Sequence, residues 1–112
     1  MSRQYVSLLN LSILAAVAIT AEHFVTAGGV LATAAGNTLG VARSDAAIGD
    51  RMPVDVIGTA IVTAGAAIAK GARVEVGAAG KAATHASGVA VGVALDAAAA
   101  DGDKIEVLLI QN

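Results

Sequence analysis

Hydrophobic and polar positions divide the chain into short β-rich runs separated by turn signals. The runs lie at residues 39–42, 54–63, 72–77, 88–95 and 104–110. Between them come turn pairs such as Gly28-Gly29, Gly36-Asn37 and Asp101-Gly102. Short strands separated by turns at this density are typical of small barrels and sandwiches. The pattern therefore predicts an all-β fold, a small β-barrel or sandwich of short strands with Gly-rich turns.

Three alanine-rich segments are the places where helix competes with this pattern: "SDAAIG" at 44–49, "AGAAIAKG" at 64–71 and "DAAAADG" at 96–102. Alanine favours helix, but an isolated helix of one or two turns is marginal in water. We expect turns or short helical turns in these segments and no helical bundle.

The run "GVAVGVAL" at 88–95 has the most regular alternation. Val89, Val91, Val93 and Leu95 fall on one face of a strand, and only alanine and glycine fall on the other. The pattern predicts that the valine face fills a core. The bare face would let a second sheet or subunit approach closely.

The segment from Gln4 to Ala21 contains no charged residue. A transmembrane helix is disfavoured because five polar residues interrupt the apolar run. A secretory signal would use Arg3 as its charged start and Leu11 to Val17 as its apolar centre, with a cut at "AVA", residues 16–18. Alternation and β-branched residues favour a third interpretation, an extended arm or first strand.

We therefore predict an N-terminal arm or first strand at residues 1–22 and a single β domain at residues 23–112. Within that domain, two segments have similar sequences: "GVARSDAAIGDRMPVDV" at 40–56 and "GVALDAAAADGDKIEV" at 92–107. Each reads as a strand, an acidic alanine-rich connection and a Gly-Asp turn into another strand. An internal pseudo-repeat of two β units would explain the similarity.

Composition indicates a thin core. Alanine and glycine make up more than a third of the 112 residues, and Tyr5 and Phe24 are the only aromatic residues. Large side chains bury most area, so a protein without them gains stability from partner subunits. The net charge of −2 and the scattered basic residues exclude an electrostatic case for nucleic-acid binding. The chain has no cysteine, so it has neither a disulfide nor a thiolate metal site.

No pattern of residues indicates catalysis. His23 and His85 lack a nearby ligand or nucleophile in sequence, and we interpret both as surface or turn residues. The acidic group of Asp96, Asp101 and Asp103 lacks the spacing of a calcium loop and is interpreted as solvated turn residues. The "AAGK" segment at 78–81 lies between strands and is predicted to be a hairpin turn. We expect no catalytic group, no cofactor and no metal.

The order of motifs resembles a known family. The stretches "TAGAAIAKGARVEVGAAGKAA" and "GVAVGVALDAAAADGDKIEVLLI" are similar to the C-terminal halves of phage head decoration proteins, also called capsid cement proteins. The resemblance covers Thr63 to Ile110 well and Phe24 to Gly58 loosely, whereas the first twenty or so residues depart from the pattern.

The resemblance implies a non-enzymatic β-barrel-like subunit on the outer surface of an icosahedral head. Such a subunit binds where several major capsid protein subunits meet and stabilises the shell against internal pressure. It implies self-association, with a trimer expected, in the virion, without nucleic acid or membrane as a partner.

From the apolar N-terminal run we predict an interface formed by six residues: Val6, Leu8, Leu9, Leu11, Ile13 and Leu14. Such a segment can add as a strand to another sheet. The alternatives are a secreted or surface β-module that follows a cleaved signal, and a small hydrolase or sugar-binding barrel for which the sequence shows no site.

Overall fold

A computed structural model describes residues 6–112, and almost all regular structure in this range is β. The strands are β1 Ser7–Leu14, β2 Phe24–Val25, β3 Gly40–Ala42, β4 Arg51–Thr63, β5 Arg73–Val76, β6 Ala82–Thr84, β7 Gly92–Ala94 and β8 Lys104–Leu109. A 3-10 turn at Ala78–Gly80 joins β5 to β6. The predicted all-β fold with short strands is confirmed.

The strands form one antiparallel sheet in the order β2-β3-β4-β8-β7-β5-β6, and β1 pairs with β4 outside this path. The long strand β4 joins the two parts of the sheet. Its residues 51–58 pair with β1, and its residues 59–63 pair with β8. A bridge between Ala64 and Ala82 brings the chain after β4 next to β6, so the sheet is nearly closed into a barrel.

Two groups of buried side chains lie on either side of the middle of β4. The smaller core contains Ala15, Ile19, Val25, Ala42, Ala46, Met52, Val54 and Val56. The larger core draws mainly on β4 to β8, and it also contains Phe24, Ala32 and Val41 from the first part of the chain. Because these are mostly alanine and valine, each core buries little area per residue.

The predicted orientation of the "GVAVGVAL" run is wrong in part. Val91 is buried as predicted, but Val93 and Leu95 are only half-buried, and Gly92 and Ala94 are the buried positions of β7. A Cβ on Gly92 would lie 2.4 Å from Val107 Cγ1, so β7 approaches β8 closely at that point. The bare face of the strand therefore points inward, because only there does a missing side chain allow this contact.

The three alanine-rich segments predicted as turns or short helical turns contain turns and isolated bridges. Among the described residues, the short helical turn lies at Ala78–Gly80, within the predicted hairpin turn. Ala79 has a φ of 57° there, a left-handed conformation that prevents a longer helix.

The two segments of similar sequence fold into loops with matching backbone hydrogen bonds. Ala46 and Ile19 each donate an N–H to the carbonyl of the other, at 3.0 and 2.8 Å. Ala98 and Ile68 exchange the same pair of bonds, both at 2.9 Å. In both loops an alanine forms an isolated antiparallel bridge with an isoleucine, which follows β1 in the first case and β4 in the second.

An aspartate closes each of these loops. The carboxylate of Asp50 accepts a hydrogen bond from the Ala47 N–H at 3.1 Å. The carboxylate of Asp103 accepts from the N–H groups of Ala99 and Ala100, at 2.7 and 3.2 Å. Each aspartate thus satisfies backbone donors that the turn leaves unpaired.

Candidate functional site

Strand β1 presents apolar side chains to solvent on both of its faces. Of its eight residues only Ser7 and Ile13 are half-buried, and the other six are exposed. The exposed large side chains are those of Val6, which precedes the strand, and of Leu8, Leu9, Leu11 and Leu14. In most sheets one face of a strand is covered by the core, so a strand with leucines exposed on both faces is unusual.

Five of the six residues predicted as an interface are therefore exposed. The sixth, Ile13, is half-buried and packs against the smaller core, where it holds the strand in place. The structure adds one residue that the sequence did not indicate. Ile57 lies opposite Leu9 in the β1–β4 pairing, and its side chain is exposed. We call the exposed side chains of Val6, Leu8, Leu9, Leu11, Leu14 and Ile57 the β1 surface.

Polar contacts fix β1 on the sheet. The Asn10 amide donates a hydrogen bond to Asp55 Oδ1 at 3.0 Å. Asp55 is 2% exposed, and its Oδ2 lies 3.7 Å from Arg43 Nε. A buried carboxylate is stable only when it is paired and hydrogen-bonded, so Asp55 ties β1, β4 and the residue after β3 together.

The start of β1 is held at a second point. The Val6 N–H donates to Thr59 Oγ1 at 2.7 Å, and the Thr59 N–H donates to the Val6 carbonyl at 2.8 Å. Gly58, beside Thr59, has a φ of 109°, and a Cβ there would lie 2.1 Å from the Val6 carbonyl oxygen. Only glycine allows the two strands to approach this closely.

The β1 surface is almost uncharged. No Lys, Arg, Asp or Glu occurs between residues 6 and 21. The exposed Arg51 lies opposite Leu14 at the end of the surface, where its Nη1 donates to the Ser12 carbonyl at 3.3 Å. Exposed edge strands usually carry charges or proline that prevent pairing with other chains. A group of exposed apolar side chains with so little protection is typical of a protein-binding surface.

The candidate chemical residues have structural roles. His23 lies in the bend before β2, as the turn alternative predicts, but it is buried, with Nδ1 2.9 Å from the Ala21 carbonyl oxygen, so the surface alternative is wrong. His85 Nε2 lies 2.8 Å from the Gly88 carbonyl oxygen. Asp101 Oδ1 lies 3.0 Å from Lys81 Nζ, and Asp96 Oδ2 accepts from the Glu106 N–H at 3.1 Å. Across residues 6–112, no three His, Cys, Asp or Glu side chains are grouped so that they could hold a metal ion.

Glu75 organises the loop that follows β6. Its carboxylate accepts hydrogen bonds from the Ala86 and Gly88 N–H groups at 2.7 and 3.0 Å. These two bonds stabilise the charged form and lower the pKa of Glu75 below its ordinary value of 4.5. The carboxylate therefore stays charged and bonded at neutral pH.

Two hollows in the described chain offer little room for a substrate. A cavity of about 50 Å3 lies between β3 and β4 and is lined by Glu22, Val41, Ala42, Arg43, Asp55 and Ile61. Ligand pockets usually have volumes of roughly 300–1,000 Å3. A shallow hollow of about 270 Å3 is lined by Thr26, Ala27, Asn37, Thr38 and Leu39, none of which is charged. Neither combines a nucleophile with a base.

In the part of the chain that the structure describes, no helix has the length and apolarity needed to span a membrane. The described residues form a small all-β fold with one exposed apolar strand, an arrangement that occurs in structural, partner-binding proteins.

The phage cement protein family model matches residues 6–109, which is nearly the whole chain. The chain belongs to the phage cement protein family. Membership supports a structural role in association with the phage capsid, as a component of the virion. No curated protein sequence matches the chain.

Among solved structures, the chain is similar to the N base of the head fiber protein gp8.5 of bacteriophage phi29. The TM-score is 0.77 and the sequence identity is 20%, over 91% of this chain and 93% of that chain. At this identity the similarity shows a shared fold.

Proposed function

We propose that this protein is a non-enzymatic cement protein that binds the outer surface of the phage head. It attaches where major capsid protein subunits meet and stabilises the shell by joining them. The β1 surface carries the proposal, because a cement protein must present a surface for other subunits and this strand exposes leucines on both faces. Val6, Leu8, Leu9, Leu11 and Leu14 contribute to intersubunit contacts, with Val6, Leu8 and Leu9 towards the capsid, and Ile13 supports the strand from the smaller core.

The strength of such attachment follows from burial. Removing apolar area from water contributes about 25 cal/mol per Å2, so a fully buried leucine side chain contributes about 2 kcal/mol. A contact of this kind is weak alone, because association costs translational and rotational freedom. Many symmetry-related copies, each touching more than one capsid subunit, bind with an avidity that no single contact provides.

We further propose that the protein self-associates, with a trimer as the expected state. Both cores consist largely of alanine and valine, so partner contacts add stability that the chain alone lacks. The alternative of a secreted module needs cleavage after Ala18. That cut would remove β1 together with Ala15, which is buried in the smaller core, so no observation favours this alternative.

Two matched substitutions test the proposed attachment. Leu8 and Ile48 are 72% and 73% exposed, but only Leu8 lies on the β1 surface. Leu8→Lys and Ile48→Lys therefore add the same charge at equal exposure in different places. We expect Leu8→Lys to bind heads that lack this protein about tenfold more weakly than the unmodified protein does, a loss of about 1.4 kcal/mol. Its bound fraction should fall accordingly. Ile48→Lys should bind like the unmodified protein.

The readout is co-sedimentation with purified heads, and circular dichroism confirms that both variants fold. Equal binding by all three proteins would remove the β1 surface from the attachment. Lack of binding by the unmodified protein would contradict the proposed function itself.

A further inference from the structure

The first half of the described chain, residues 6–58, and the second half, residues 59–112, repeat one strand ladder. In the first half β1 pairs with the start of β4, and in the second half the end of β4 pairs with β8. The matching pairs are Leu14–Arg51 with Thr63–Lys104, Ile13–Met52 with Val62–Ile105, and Leu11–Val54 with Ala60–Val107. Residues 10–14 of β1 thus have counterparts in residues 59–63 at the end of β4.

The turns after these strands also correspond. The Glu22 N–H donates to the Ala42 carbonyl at 2.7 Å, and the Gly71 N–H donates to the Ala94 carbonyl at 2.7 Å. Glu22 and Gly71 both have positive φ, 66° and 86°. The backbone is therefore alike from the first strand of each half through the strand that follows the turn.

The first half covers part of the second half. The Thr63 N–H donates to the Glu22 carbonyl at 2.8 Å, and Lys104 Nζ lies 3.0 Å from Glu22 Oε1. Phe24 and Val41 belong to the larger core, although their neighbours in sequence belong to the smaller one. One side of the first half is thus buried against the second half.

The corresponding side of the second half is open in the described chain. Arg73 and Val93 occupy the positions of Phe24 and Val41, and Arg73 is exposed while Val93 is half-buried. Leu108, directly opposite Val93 on β8, is 44% exposed. Phe24 and Val41 are buried in the first half, whereas Val93 and Leu108 of the second half remain at least partly exposed to solvent.

In the second half the contact is made on residues 59–63 of β4. Their counterpart in the first half, β1, is exposed. Thr63 is 5% exposed, whereas its counterpart Leu14 is 52% exposed. Ala60 is 0% exposed, whereas its counterpart Leu11 is 37% exposed. Within one chain, one side of the first half is packed on the strand of the second half. The equivalent side of the second half and the equivalent strand of the first half, β1, are both left exposed.

We infer that the second half of one copy docks on the first half of another copy, repeating the internal contact between chains. Val93 and Leu108 of one chain pack on the face of β1 that carries Leu11 in the next, as Val41 shares the larger core with Ala60 internally. Leu14 borders this contact as Thr63 does internally, where its N–H bonds to Glu22, and the aliphatic stem of Arg73 covers the rim. The occupant is a second copy of this chain because both complementary sides are present on it. A contact between two different sides is head-to-tail, and such contacts close into a ring when the rotation between copies closes, as a trimer requires.

Leu14→Glu and Leu108→Glu test the contact from its two sides. Both residues are exposed, so either change leaves the folded chain intact. Analytical ultracentrifugation over a concentration series should show the unmodified protein as an oligomer, with three times the monomer mass of 10.8 kDa expected for a trimer. Each variant alone should sediment as a monomer. Ile48→Glu, at an exposed site elsewhere, should remain oligomeric.

Mixing the two variants separates this contact from a two-fold one. Leu14→Glu keeps an intact second half and Leu108→Glu keeps an intact first half, so the mixture can form one good contact and should sediment as a dimer. A monomeric unmodified protein, an oligomeric variant or a mixture without dimer would each overturn the inference. It extends the proposed self-association, but no heads are used, so a failure of head binding is a separate result.

Discussion

The two halves of the chain contain similar ladders but differ in how completely they are covered. In the second half no residue of β4 after Gly58 is exposed, and the first half packs against this part of the strand. In the first half the equivalent strand, β1, carries larger side chains that remain exposed. Burial on this fold therefore depends on what packs against the strand. A partner subunit can cover β1 as the first half covers β4.

The two halves should differ most in how much free energy of unfolding is lost when a core side chain is truncated. Met52 and Ile105 occupy matching positions, opposite Ile13 and Val62, and both are fully buried. Truncation of such residues to alanine costs about 2–5 kcal/mol, and more where the cavity cannot collapse. We expect Ile105→Ala to lower the free energy of unfolding by about 4 kcal/mol and Met52→Ala by about 2 kcal/mol.

The difference has a structural reason. The smaller core borders three half-buried long side chains that can move into a cavity, those of Ile13, Leu31 and Leu39. The larger core borders Ala72, Val89 and Leu109, which offer fewer atoms to fill one. Urea unfolding followed by circular dichroism measures both variants. Equal losses, or a larger loss for Met52→Ala, would show that the smaller core is as rigid as the larger one.

An intermediate effect is expected at the aspartates that close the two matching loops. Asp103 accepts two backbone N–H groups and Asp50 accepts one from the same type of turn. Loss of one such hydrogen bond costs about 0.5–1.5 kcal/mol. Asp103→Ala should therefore destabilise the protein by about 1.5 kcal/mol and Asp50→Ala by about 0.7 kcal/mol.

The matched control is Asp103→Asn, which keeps an acceptor oxygen in nearly the same place. Thermal unfolding should rank the Asn variant close to the unmodified protein. If Asp103→Ala and Asp50→Ala are equally stable, the second hydrogen bond at Asp103 contributes nothing.

Much of the fold follows from sequence, and the reasons are local. Alternating β-branched residues predicted β4 and β8, and the "AAGK" segment between two strand patterns predicted the turn between β5 and β6. The orientation of β7 did not follow, because both of its faces are apolar and polarity cannot tell which points inward. Only the close packing at Gly92 decides it.

The candidate site was predictable in outline. The absence of charge between residues 6 and 21 indicated an interface. The burial of Ile13 and the exposure of Ile57 depend on how β1 pairs with β4, and that pairing shifts register twice between Ser7 and Asn10. Register irregularities come from long-range packing, which a single sequence does not encode locally.

The smallest expected effect is a pH dependence confined to the second half. Hydrogen bonds from Ala86 and Gly88 lower the pKa of Glu75, so its folded pKa is below its unfolded one. Its contribution to stability is then fully present above pH 4.5 and is lost as the pH falls through the folded pKa. Amide hydrogen exchange should show faster exchange at Ala86 and Gly88 at acidic pH, after correction for the intrinsic rate.

Glu75→Gln removes the titrating group and should abolish this pH dependence while keeping an acceptor oxygen. The N–H of Thr26, in the β2 hairpin of the first half, bonds to the Val30 carbonyl and serves as an internal control. Equal acid sensitivity at Thr26 would mean that general unfolding, and not Glu75, causes the change.

Cryo-electron microscopy of heads lacking this protein, reconstructed with and without the purified protein added, tests the central proposal most directly. The account predicts added density on the outer surface, where capsid subunits meet, with β1 at the contact between subunits. Added density in which β1 faces solvent, density inside the shell, or no added density would contradict it.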